Sequence, residues 1–113
     1  MTPSDAVLGL FLRVPECVPS CTVMGMDMRE QPYIVYSTLA AFVARDVLDG
    51  KGGLDAPVER VGAYVEDLVA TDDPEIVRLV QFGFLHALKI EMGTAAIDLI
   101  FLGPKTRRLL REA

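Results

Sequence analysis

The side chains best equipped for chemistry are one imidazole, His86, and two thiols, Cys17 and Cys21. Nucleophilic catalysis needs a serine or cysteine whose proton a neighbouring base removes. His86 stands four residues after Phe82 in the most apolar stretch of the chain. A core or interface histidine is expected there rather than a base, which would need partners and access. Cys17 and Cys21 lie four apart around Pro19, a spacing that sets both thiols on one helical face. No second pair supplies the remaining ligands of a structural metal site, so two unpaired thiols, no metal and no cofactor are expected. Met24, Met26 and Met28 follow at alternate positions, and their flexible thioethers suit core or loop packing. No catalytic residue is assigned.

Charge is distributed more informatively. Sixteen acids oppose eleven bases, a net charge of −5. From Asp46 to Glu75 there are nine acids and two bases, a local balance of −7. Solvation, solubility and capping account for most such clusters, since Asp55, Asp72, Asp73 and Glu75 already serve helix starts. The functional reading of the same acids is a face able to steer a basic partner, since complementary charge speeds encounter and fixes orientation. The candidate contact residues are Asp55, Glu59, Glu66, Asp67, Asp72, Asp73 and Glu75, with Tyr64 as a nearby apolar contact. The bases concentrate in Lys105, Arg107, Arg108 and Arg111, without the aromatic platform of a single-strand binder. They complement the dipole of a terminal helix, and no nucleic-acid partner is expected.

These residues must be positioned by helices. Half the chain (51%) is hydrophobic, only 7% is aromatic, and tryptophan is absent, a composition of Val, Leu, Ile and Ala suited to helix-on-helix packing. Ser4 and Asp5 open a first helix over about 4 to 13, which Pro15 stops. Pro15 to Gln31 reads as a helical turn and an irregular connection. Pro32-Tyr33-Ile34-Val35-Tyr36 favours extended backbone, with Ser37 capping a helix through Asp49; a helix beginning at Pro32 is the alternative. In either case Leu39, Phe42, Val43 and Val47 face inward, and Arg45, Asp46 and Asp49 face water.

Asp55-Ala56-Pro57 starts the clearest helix, whose stripe is Val58, Val61, Val65, Leu68 and Val69. Asp73-Pro74 starts another, in which Ile76 to Leu88 is apolar nearly all round and predicts burial on more than one side. Thr94 is expected to cap a segment from Ala95 to Leu102, and Gly103-Pro104 to begin a basic helix from Lys105 to Glu112. About six short helices in one domain, residues 1–113, predict an all-α bundle or two-layer stack. A membrane span needs roughly 18 apolar residues, and charged residues interrupt every candidate run. Met1 to Asp5 lacks the marks of a secretory signal, so a cytoplasmic location without membrane attachment is expected.

The landmarks Phe11 with Pro15, Pro32 to Tyr36, Phe42-Val43, Val65-Glu66-Asp67-Leu68, Asp72 to Val77, Phe84 to Leu88 and Leu102 to Arg107 together resemble a family of small, uncharacterised all-helical bacterial proteins. Members stand beside polymorphic or contact-dependent toxins, and the resemblance implies that they act as immunity proteins. His86 departs from the glutamate common at its position, so no role of that acid carries over. The expected function is therefore binding and occlusion of a cognate toxin, such as a nuclease with a basic surface, without enzymatic activity. The alternatives are a helical adaptor or homo-oligomer, including a homodimer, and a small DNA-binding antitoxin using the basic C-terminus.

Overall fold

The computed structural model describes residues 1–50, 56–93 and 102–112. Helix α1, Pro3–Arg13, begins one residue earlier than Ser4: Thr2 is its N-cap, with the Thr2 hydroxyl accepting from the Asp5 N–H at 3.2 Å and the Asp5 carboxylate accepting from the Thr2 N–H at 2.9 Å. This reciprocal box satisfies two donors that the helix itself leaves orphaned, and Pro3 lacks the donor that its position could not use. Proline at 15 then ends the helix as expected. The chain continues as a single-turn 3-10 helix, Pro15–Cys17, a short α2, Val18–Cys21, and a second 3-10 turn, Met28–Glu30, capped by the Asp27 side chain.

Helix α3, Pro32–Leu48, starts at Pro32 and not at Ser37. The β-branched and aromatic preference of residues 33–36 is overruled by burial: Val35 and Tyr36 are fully enclosed in the core. The Val35 N–H already bonds the Gln31 carbonyl at 3.1 Å, and Ser37 becomes an interior helical residue. Leu39 and Val43 are buried as expected and Phe42 and Val47 half-buried, but Asp46 is turned inward, at 7% exposure, rather than to water.

Helix α4, Pro57–Ala70, carries the anticipated stripe: Val58, Val61, Val65, Leu68 and Val69 are all buried. A left-handed Asp72 (φ 56°) turns the chain, and Asp73 caps α5, Pro74–Arg78, by accepting from the Glu75 N–H at 3.0 Å. The same rod continues through a π-helical segment, Leu79–Leu85, into α6, His86–Met92. Helix α7, Pro104–Glu112, packs on α4. The expected segment from Ala95 lies outside the described residues apart from Leu102, which is buried.

Among the described residues there is no strand, and no helix is long and apolar enough to cross a membrane. The radius of gyration, 12.7 Å, is close to the roughly 13 Å expected of a folded chain of this length, so the helices close on one core. Tyr36 and Tyr64 both donate to the Ala6 carbonyl, at 2.8 and 3.2 Å, which ties α3 and α4 to α1 at its centre. Burial raises the proton affinity of both phenols, keeping them neutral donors.

Candidate binding surface

The acids chosen from sequence divide into three groups. Asp67, Asp72 and Glu75 are exposed on α4, on the turn after it and on α5. Glu59, in the first turn of α4, and Asp73 are half-buried, and Asp73 is occupied as a cap. Glu66 is not a surface anchor: it reaches across to the start of α7, accepting from the Lys105 N–H at 3.2 Å and from the Thr106 N–H and hydroxyl at 2.9 Å each. Burial raises the Glu66 carboxyl, but these hydrogen bonds outweigh it and hold the group below its ordinary range. Asp55 lies outside the described residues.

Tyr64 requires correction as a contact residue. Only 6% of it is exposed, because its ring is packed beneath α1 while its hydroxyl holds the Ala6 carbonyl. The Arg13 guanidinium covers the ring, 5.3 Å from its centroid, and Arg13 also reaches Asp67 at 3.5 Å. Beside it, Arg60 grips the Glu16 carboxylate with both terminal nitrogens and donates to the Arg13 carbonyl at 3.1 Å. The α1–α4 seam is thus closed by charged groups, and the Arg60 hydrogen bond holds the Glu16 carboxyl below its usual range.

The basic helix lies beside this surface rather than apart from it. Val69, Asp72, Lys105, Arg108, Leu109 and Glu112 line an open cleft of about 350 Å³, so Lys105 and Arg108 stand across from Asp72. The bases of α7 thus offset part of the charge at Asp72, and Arg13 part of that at Asp67. That placement narrows the charged face, because interactions beyond about 10 Å are screened in salt while near bases act directly.

A second surface was not foreseen. His86 is exposed rather than a core residue, and it lies between exposed Phe82 (56%) and Ile90 (72%) on one outward line. Residues four apart drift around an ordinary helix of 3.6 residues per turn, and the wider turns over Leu79–Leu85 reduce that drift. At the inner side of the same segment the Ser37 hydroxyl donates to the Gly83 carbonyl at 3.2 Å. A side chain at Gly83 would press on Tyr36 and Tyr33 at 3.3 and 3.4 Å, so glycine lets α3 approach closely. Exposed Tyr33 thereby stands beside the segment carrying Phe82. The sequence signal for this was the lone Gly83 in an apolar helical run, which often marks close backbone approach.

No family model, no curated protein and no solved structure matches the chain. Among the described residues no group of three or more His, Cys, Asp or Glu side chains is placed to hold a metal ion.

Proposed function

We propose that the protein is a non-enzymatic, cytoplasmic immunity protein that binds a cognate bacterial toxin and covers its functional surface. The observation that carries this reading is the exposed acidic group Asp67, Asp72 and Glu75 on consecutive elements, in a domain whose one histidine is exposed while both cysteines are buried. Rigid helices present these carboxylates at fixed spacing, and such charges act mainly by steering encounter with a basic surface such as a nuclease site. The resemblance to helical proteins of toxin loci supplies the partner class. Expressing the products of the genes adjacent to its own, with and without the protein, tests the proposal. Restored growth of the toxin-expressing host is the expected result, and undiminished killing at equal toxin levels counts against it.

One observation favours a second reading, a helical adaptor or homo-oligomer. Tyr33 and Ile34 on α3 and Phe82 and Ile90 on the rod from α5 to α6 are exposed apolar side chains, and exposed apolar patches mark association surfaces. Light scattering across micromolar concentrations separates the two: a constant monomer mass removes self-association.

A further inference from the structure

We propose that the cleft between the end of α4 and helix α7 binds a zwitterion of dipeptide size. Val69 and Asp72 line it from α4 and the turn that follows, and Lys105, Arg108, Leu109 and Glu112 line it from α7, around about 350 Å³ of open volume. That volume stands at the small end of ligand sites, which start at about 300 Å³. The four α7 residues recur at steps of three, one and three, so they share one face of that helix. Val69 and Leu109 belong to the core and turn only an edge to the cleft, which gives it an apolar lining among charged groups.

The charges identify the ligand class. Lys105 and Arg108 stand in the first half of α7 and Glu112 is its last residue, so base and acid are set apart along the helix, by about 6 Å of rise between Arg108 and Glu112. Among the described residues, none of the side chains of Asp72, Lys105, Arg108 and Glu112 is in an ion pair, although all four are exposed and line one space. Their nitrogens and oxygens are therefore too far apart to neutralise one another directly. A molecule carrying both charges spans that gap. Its carboxylate accepts from the Arg108 guanidinium, whose planar fork suits it, and from the Lys105 ammonium, while its own ammonium donates to Asp72 and Glu112. An apolar side chain between the two ends covers Val69 and Leu109. A simple anion or cation would leave one pair of charges unmatched. The Asp72 backbone is left-handed at φ 56°, where glycine carries no strain, yet the chain places a carboxylate there, lining the cleft. Residues held in such conformations gather at ligand sites.

The test is a titration of the isotope-labelled full chain with the dipeptide alanyl-leucine, followed by the NMR shifts of the backbone amides. Saturable shifts at Val69, Asp72, Lys105, Arg108 and Leu109 are expected, with one ligand per chain. Blocking the dipeptide's ammonium by acetylation, or its carboxylate by amidation, should each weaken binding by about tenfold or more, the value of one hydrogen bond to a charged group. Asp72→Gly, which relieves the backbone, and Arg108→Gln should each weaken it to a similar degree. Arg111→Gln, an exposed base of the same helix that does not line the cleft, should bind as the parent chain does. Because the assay contains no toxin, its outcome is separate from that of the proposed function. Shifts that never saturate, blocked and unblocked dipeptides bound alike, or undiminished binding by Asp72→Gly and Arg108→Gln overturns the proposal.

Discussion

The Glu66 carboxylate on α4 caps helix α7 through Thr106, accepting both its N–H and its hydroxyl at 2.9 Å. A helix N-terminus leaves donors without partners, and a carboxylate there satisfies them while meeting the positive end of the dipole. Glu66→Ala should therefore loosen α7 and cost about 2 kcal/mol in urea denaturation, given that hydrogen bonds to charged groups are worth about 1.5–3 kcal/mol. Thr106→Val keeps the size and the backbone bond but loses the hydroxyl, and should cost about 1 kcal/mol. Equal stability of Glu66→Ala and the parent chain would show that α7 is held by its apolar contacts alone.

The same carboxyl predicts a pH dependence. Its folded value lies below the ordinary glutamate value of 4.5, so the folded state binds its proton less readily than the unfolded chain. The stabilisation is complete above that ordinary value and is lost as pH falls through the lowered folded one. Acid titration of stability should fall less steeply below pH 4.5 for Glu66→Gln than for the parent chain. Parallel curves would remove Glu66 from the acid response.

Gly9 marks the closest approach of α1 to α4. A Cβ there would overlap the Tyr64 hydroxyl and come within 2.9 Å of the ring carbon that bears it. Gly9→Ala should destabilise by about 1–3 kcal/mol, the usual cost of forcing a packed core apart. Combining it with Tyr64→Phe should recover part of that loss, since the hydroxyl is the nearest atom. A double variant as unstable as the sum of the singles would contradict this contact.

Asp72 holds a left-handed backbone at φ 56°, where an unbranched polar residue is tolerated and glycine is favoured. Asp72→Gly should be neutral or slightly stabilising, whereas Asp72→Val should lose about 1–2 kcal/mol of stability by thermal melting. The pair isolates backbone strain from loss of charge, because both variants remove the carboxylate.

The all-helical class and α4 were legible because the stripe from Val58 to Val69 repeats at helical spacing and meets nothing that competes with it. The start of α3 was not, since residues 33–36 prefer extended backbone locally and only the core around Val35 and Tyr36 decides otherwise. Glu66 was read as an outward acid because periodicity sets it off the apolar stripe of α4. Whether a neighbouring helix end waits there depends on how α7 docks, which no local pattern records. Tyr64 and His86 were exchanged in the same way: an apparent surface tyrosine is enclosed beneath Arg13, and a histidine in an apolar run points outward. The exposed acids Asp67, Asp72 and Glu75 were found because charge outside a stripe usually stays in water.

On the proposed function, the exposed acidic group steers the protein onto a basic partner. The most direct measurement is the association rate with the toxic product of an adjacent gene, identified by the growth assay, compared between the parent chain and the variant Asp67→Lys with Asp72→Lys and Glu75→Lys, at low and high salt. These three residues avoid the caps at Glu66 and Asp73; because Asp67 also meets Arg13 at 3.5 Å and Asp72 holds a left-handed turn, thermal melting of the variant checks that its fold persists. The variant should associate more slowly by about tenfold or more at low salt, with the difference shrinking as salt rises. Equal rates at every salt concentration, or no association by the parent chain, would contradict it.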